Sequence, residues 1–326
     1  MDAGQYLQIF GTFSSRGIMN GLDDKPKWAK KVKEVCNMGQ HGNMSLEVLE
    51  NEYYTNIDIN NFIVDDQRKI LYCVIPKAAC TNTIKTMAVT QDLDRISSKW
   101  KDQGKHLDED THRRKIRKTI SELPAIKSHN RGFYRSVGLD YLIHTPRDQL
   151  SHKFQHYFKF MVVRNPYTRI LSAFRDKFEK GYDVFYRRNY GVKIGKMYRK
   201  NYSNGKGDDI TFKEFVRYVT DTWSNGTSLE RHWRPYYQLC NPCIIHYDLI
   251  AKAEDLSNDL EPFFDRISNN STRSILSSEY GPQTNSNKNA TIHTYYKQIS
   301  ESLLSKLTNV YDVDFKLFEY PTKLPV

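Results

Sequence analysis

Two short segments of this 326-residue chain combine residue types that can hold an anion. The first, Pro76-Lys-Ala-Ala-Cys-Thr-Asn82, places a lysine, three small residues and two polar side chains between an apolar run and a helical pattern. Small residues let backbone N–H groups close on an anion, and a helix N-terminus adds about half a positive charge. Lys77 supplies a mobile full charge, and Thr81 and Asn82 supply side-chain donors. The glycines of G-x-x-x-x-G-K-[ST] are absent, which argues against an ordinary nucleoside triphosphatase. The second segment is Arg164-Asn-Pro-Tyr-Thr-Arg-Ile-Leu-Ser172. An arginine at the carboxyl end of a buried strand sits where α/β folds place ligands, and its planar fork suits a phosphate. Ser172, two turns on, reaches the same group if the ligand lies along the helix. Each segment alone also fits a ligand-free role, as a tight strand–helix connection or as an arginine capping a neighbouring helix.

The elements that must position these residues follow from pattern. Ile70 to Ile75 is a continuous apolar run ending at Pro76, the form of a buried parallel strand. From Asn82 to Val89, Ile84, Met87 and Ala88 share one helical face, with Thr81 as N-cap. Phe160 to Val163 predicts a second strand, running into an N-cap asparagine and a first-turn proline at Asn165-Pro166. Ile170, Leu171, Phe174 and Phe178 follow at helical spacing. Helices are also expected around Lys27 to Val35, over Phe212 to Val219 behind Asp208-Asp209, and over Gln298 to Leu307; a third strand is expected at Cys243 to Tyr247. The alternation predicts a single α/β domain with a mainly parallel central sheet flanked by helices. Residues 1–60 read as a partly irregular N-terminal extension. Residues 61–326 read as the domain, with a charged insertion at about 91–125 forming a surface helix and loops.

Composition narrows the class. Hydrophobic residues make 39% of the chain and charged residues 27%, which excludes wholesale disorder. The longest apolar run is about six residues, far short of the roughly 20 that span a membrane, and the opening MDAGQYLQIFGTFSSRG has no continuous apolar signal region. The net charge of +11 favours a polyanionic partner. Its densest run is His112 to Lys118, and a looser cluster spans Arg187 to Lys206. Nucleic acid has no support beyond that charge. Five cysteines are too few for a disulfide scaffold. Cys240 and Cys243 lack the second ligand pair that zinc would want, and they read as structural, with Cys36 as a third partner for a disulfide. Cys80, at a helix N-terminus, reads as a packing residue. N-x-[ST] sequons start at Asn43, Asn201, Asn225, Asn269, Asn270 and Asn289 and favour the secretory pathway. Trp233, Tyr236 and Tyr237 form either a sugar-stacking face or core.

Taken together, Pro-Lys-x-Ala-Cys-Thr-Asn and Val-Arg-x-Pro-x-x-Arg-x-x-Ser-Ala-Phe-Arg-x-Lys-Phe resemble the Golgi carbohydrate sulfotransferases, closest to the chondroitin/dermatan 4-O-sulfotransferase and HNK-1 sulfotransferase branch. Gly207-Asp-Asp-Ile-Thr-Phe-Lys-Glu-Phe215, His232-Trp233, Leu239 to Asp248 and Leu307 to Phe315 extend the likeness over about Cys36 to Tyr320. It implies a P-loop-like sulfotransferase fold and 3'-phosphoadenosine 5'-phosphosulfate (PAPS) as co-substrate, with no tightly bound cofactor and no metal. Lys77, Ala78, Ala79, Cys80, Thr81 and Asn82 would then hold the 5'-phosphosulfate, and Arg164 and Ser172 the 3'-phosphate. The chain departs from the family at Thr83, where tryptophan is usual, at Asn165, where an acidic residue is usual, and in a longer stretch around Ser97 to Lys118. No segment of the given sequence reads as the family's N-terminal membrane anchor, although the likeness implies the Golgi lumen.

The chemistry so implied is in-line attack of a sugar hydroxyl on sulfur, with Lys77 stabilising charge on the bridging phosphate oxygen. A histidine is the expected base. His129 lies in the interval where related sulfotransferases carry theirs, and His232 and His152 are the alternatives. The expected acceptor is an anionic glycan of the chondroitin or dermatan type, with the 4-O position of N-acetylgalactosamine as the target. The alternative is an inactive polyanion-binding protein on the same fold.

Overall fold

A computed structural model describes residues 27–38, 57–88, 90, 114, 135, 138–179, 183–267 and 288–325. In chain order they form α1 (Lys27–Met38), β1 (Phe62–Asp65), β2 (Ile70–Cys73), α2 (80–88), β3 (Asp140–Tyr141), α3 (Arg147–His156), β4 (Phe158–Val163) and α4 (Pro166–Phe174). There follow α5 (184–198), α6 (Phe212–Ser224), α7 (Tyr236–Cys240), β5 (Leu249–Lys252), α8 (Leu256–Asp259), α9 (Glu261–Ile267), α10 (Asn289–Tyr296), α11 (Glu301–Val310) and α12 (Asp312–Leu317). In α5 a helical turn Val184–Tyr186, a π-turn Arg187–Gly191 and a helix Val192–Tyr198 run on without a break.

The five strands form one sheet in the order β3-β1-β2-β4-β5. It is mixed rather than mainly parallel: β2, β4 and β5 run parallel, while β1 is antiparallel to both β2 and β3. Only Asp66 to Lys69 separate β1 from β2, and a parallel pairing needs a crossover of about a dozen residues or more. Alternate residues supply the two faces. Ile70, Tyr72, Phe160, Val162, Leu249 and Ala251 pack against α2, α8 and α9 through Ile84, Met87, Leu256, Leu260 and Phe263. Leu71, Cys73, Met161, Val163 and Ile250 pack against α3, α7 and Trp28, Val32 and Val35 of α1. Coverage on both faces is why β2 and β4 carry continuous apolar runs.

α4 starts as its sequence directs: Asn165 accepts from the N–H groups of Tyr167 and Thr168, and Pro166 occupies the first turn. Thr211 and Glu214 close a capping box on α6. Other boundaries shift. Thr81 lies inside α2 rather than capping it, and α11 begins at Glu301 behind a Ser300 cap. Cys243 to Tyr247 is a turn, not the third parallel strand, which is β5 two residues further on. A disulfide from Cys243 to Cys36 ties that turn to α1, while Ile245 and Tyr247 still reach the core. A second disulfide joins Cys73 of β2 to Cys240 of α7, so Cys240 and Cys243 each take a distant partner and Cys80 stays free.

Candidate active site

The parallel strands β2 and β4 end side by side, and both cation-bearing segments leave from their carboxyl ends. After β2 the chain turns through Pro76–Ala79 into α2. Lys77 (φ 70°) and Ala79 (φ 56°) are left-handed, with Ala78 between them outside that region. This costs a residue with a side chain about 1 kcal/mol or more, and such strain gathers where a ligand is held. Alternating hand swings successive N–H groups toward one side, the form of an anion nest. At the start of α2 the Asn82 and Thr83 N–H groups are taken by the Ala79 carbonyl (3.0 and 3.1 Å), so the helix adds its N–H groups at Cys80 and Thr81. The loop thus does with Lys77 and Ala79 what glycines do elsewhere. Ala78 is buried, while Lys77, Ala79, Cys80, Thr81 and Asn82 are half-buried.

Arg164, at the end of β4, is 4% exposed. Its Nη1 donates to the Lys77 carbonyl (3.1 Å) and its Nε to Thr168 Oγ1 (3.0 Å). One guanidinium therefore joins the two segments. Ser172 lies buried on the second turn of α4. Arg169, on the first turns of α4, was not among the expected site residues, yet it does most to build the site. Its Nε donates to the Pro76 carbonyl (3.0 Å), Nη1 to Arg234 O (2.7 Å) and Nη2 to Arg231 O (3.0 Å), and its guanidinium lies 4.6 Å from the centre of the Tyr236 ring. Segment 231–234 is thereby held one guanidinium's width from the loop. Asp314 of α12 fixes the same region by accepting from the N–H groups of Tyr236 and Tyr237 (2.7 and 3.0 Å). Burial pushes its carboxyl up to about 7.

A relay of charges leads from Lys77 to a histidine. Lys77 Nζ lies 3.2 Å from Asp176, which also meets Lys177 at 3.4 Å. Burial lowers the Lys77 pKa, partly offset by the Asp176 carboxylate. Lys177 pairs with Asp183 (3.0 Å) and sits 4.4 Å over the Tyr186 ring. The Tyr186 hydroxyl donates to Glu230 (2.8 Å) and lies 2.9 Å from His232 Nδ1, itself 3.0 Å from Glu230. An ionised Glu230 only accepts, so Nδ1 of His232 carries the hydrogen. Burial pushes His232 down to about 4 against the pull of Glu230. Burial works the other way on Glu230, but His232 holds it down at about 2.

Those shifts set a pH dependence. Between about 6.5 and 4 the unfolded chain binds a proton at His232 that the folded chain refuses, so this histidine's contribution is complete above 6.5 and is lost as pH falls toward 4. Asp314, with its pKa raised, acts in the opposite sense over nearly the same range, so the wild-type profile alone hides the effect. The Tm gap between wild type and His232→Gln should be widest at pH 7 and shrink steadily toward pH 4. A gap independent of pH would show that His232 titrates normally.

The other expected residues distribute unevenly. His152, exposed on α3, stacks on His156 and meets the edge of Tyr157, while Tyr157 and Lys153 bond Asp66 in the turn before β2. It therefore stands at the amino ends of the parallel strands, opposite the loop, and is removed as a candidate base. His129 and most of the insertion lie outside the described residues. Trp233 and Tyr236 are fully buried, so they are core rather than a sugar-stacking face. Of the basic cluster, Arg199 is engaged by Glu214 and Asp209, and Arg187 by Asp208.

Comparison with known proteins gives the family. A family model described as "Sulfotransferase family" matches residues 60–321. The chain belongs to the sulfotransferase family. Sulfotransferases of this kind are enzymes that take a sulfuryl group from PAPS. Carbohydrate sulfotransferase 14 of Danio rerio is 31% identical over 301 residues, covering 90% of this chain and 70% of the relative. Carbohydrate sulfotransferase 11 of Rattus norvegicus is 32% identical, covering 89% and 74%, and carbohydrate sulfotransferase 12 of Mus musculus is 30% identical, covering 82% and 61%. No solved structure matches the chain. The donor set fits PAPS as substrate: a strained nest with a lysine at one strand end and a second cation at its neighbour suit a ligand with anionic groups at both ends. Among the described residues no helix is long and apolar enough to cross a membrane.

Proposed function

We propose that this sulfotransferase moves the sulfuryl group of PAPS to a hydroxyl of an anionic glycan of the chondroitin or dermatan type, at the 4-O position of N-acetylgalactosamine. The observation that carries the donor half is the bond from Arg164 Nη1 to the Lys77 carbonyl, which fixes the two cationic strand ends as one unit. In this reading the 77–82 loop holds the 5'-phosphosulfate, and Arg164 and Ser172 face the 3'-phosphate. Lys77 meets the charge that grows on the bridging oxygen as the S–O bond breaks. His129 takes the hydroxyl proton. His232, neutral and with a pKa near 4, is a weak acceptor at pH 7, and its bonds to Glu230 and Tyr186 make it a structural hub.

The names of the relatives support a carbohydrate acceptor, and the net charge of +11 supports an anionic one. The setting that fits is the Golgi lumen: disulfides persist in oxidising compartments, two are formed here, and the sequon asparagines Asn201, Asn225 and Asn289 are exposed.

Adenosine 3',5'-bisphosphate should raise Tm, by an amount equivalent to about 2.7 kcal/mol at 100 times Kd, while ATP should not. His129→Ala should keep that shift and lose transfer to desulfated chondroitin by about 10²–10⁴-fold. No stabilisation by the bisphosphate refutes the donor reading, and full activity in His129→Ala refutes the base. A protein that binds the bisphosphate and chondroitin yet never transfers is the inactive polyanion binder.

A further inference from the structure

The helix α5 is packed on one side only. Its buried positions are Tyr186, Gly191, Ile194 and Gly195. Gly191 and Gly195 have no room for a side chain: a Cβ on Gly191 would lie 2.2 Å from the Gly207 carbonyl, and one on Gly195 would lie 2.4 Å from the Tyr202 ring. Arg199, just past the helix, is fastened to Glu214 at 2.6 Å and to Asp209 at 2.6 Å. The back of α5 is therefore clamped to the loop that follows it. The opposite side exposes Phe185, Arg188, Lys193, Lys196 and Met197, and Lys200 is exposed just past the end of the helix.

Arg188, Lys193, Lys196 and Lys200 form no ion pair among the described residues, unlike Arg187 and Arg199, although the Lys193 ammonium lies 5.4 Å from the centre of the Tyr218 ring. Three of these cations thus lie along a rigid rod, with Lys200 just beyond it, and the eight steps from Arg188 to Lys196 span roughly 12 Å at 1.5 Å each. Phe185 is 61% exposed at the head of the rod. The head adjoins the proposed active site: Asp183 caps it by accepting from the Tyr186 N–H (3.3 Å) and pairs with Lys177, which shares Asp176 with Lys77.

We propose that this exposed side is the acceptor track, along which an anionic glycan lies with a sugar ring on Phe185 and its carboxylates against Arg188, Lys193, Lys196 and Lys200. The proposal rests on the functional reading above for the class of the glycan. A membrane is the other polyanionic surface a basic helix can meet, but an interfacial helix needs a continuous apolar face to insert. Here that face is buried in the protein, and Phe185 and Met197 stand twelve positions apart. An exposed aromatic beside cations that no carboxylate of the described residues engages is instead the combination that stacks on a sugar and draws in its charges.

The test measures binding of desulfated chondroitin to the full chain in the presence of adenosine 3',5'-bisphosphate, for wild type, for Phe185→Ala and for the combined Arg188→Ala, Lys193→Ala, Lys196→Ala variant. The combined variant should bind about tenfold more weakly, with a flatter salt dependence, and Phe185→Ala several-fold more weakly at every salt concentration. Both should keep the wild-type Tm and the wild-type shift with the bisphosphate, since every substituted side chain is exposed. Equal affinity in wild type and the combined variant overturns the track, as does a wild-type chain that ignores chondroitin. So does a loss confined to phosphatidylserine-containing vesicles, which would make this side of α5 a lipid contact. Failure of the donor reading shows separately, as no bisphosphate shift in wild type.

Discussion

Replacing Lys77 with alanine is expected to lower kcat/KM by about 10²–10³-fold, the usual cost of deleting one donor aimed at developing charge. Lys77 is half-buried and among the described residues its Nζ has one carboxylate partner, Asp176, which keeps a second cation in Lys177. Little of the fold hangs on the ammonium itself. Alanine is also tolerated in the left-handed region no worse than lysine, so the nest can persist. Tm should therefore change by no more than about 2 °C. Single-turnover rates with saturating PAPS separate binding from chemistry. If the variant transferred at the wild-type rate, the strand-end lysine would have no role at sulfur.

The second large effect is on stability. Arg169→Met should cost roughly 3–5 kcal/mol, because it strands three carbonyls, of Pro76, Arg231 and Arg234, that share one guanidinium. It also removes a nearby positive charge from buried Asp314. Arg169→Lys should recover only part of this, since an ammonium cannot present three donors in a planar fork. Thermal or urea unfolding gives the number, and a Tm drop below about 2 °C would mean that the loop and segment 231–234 hold their places unaided.

What could be read from the residues, and what could not, divides along the range of the interaction. The loop after β2 and the start of α4 were legible because their signals are local: an apolar run, small residues, an asparagine followed by proline. Arg169 stood in the same motif as Arg164, but its partners are backbone carbonyls 62 to 93 positions away, which carry no residue type to read. Cys73 hid inside the apolar run that identified its strand, so its bond to Cys240 had no signal. The sheet was misjudged as mainly parallel because β1, Phe62–Asp65, is too short to announce itself beside the turn to β2. In the basic cluster, composition could not show that Arg187 and Arg199 are engaged by carboxylates, while Arg188, Lys193 and Lys196 form no ion pair among the described residues.

The two disulfides are nested: the bond from Cys73 to Cys240 closes a loop that lies wholly inside the one closed from Cys36 to Cys243. A peptide bond cut anywhere between 74 and 239 therefore leaves the halves joined by two covalent links, one between β2 and α7, the other between α1 and the turn after α7. That interval contains Lys77, Arg164, Arg169 and the whole of α5. The integrity of the molecule is thus separated from the integrity of its main chain over the stretch that builds the site. A nicked molecule would travel as one species until reduced, and the insertion could be cleaved without the two strand ends drifting apart.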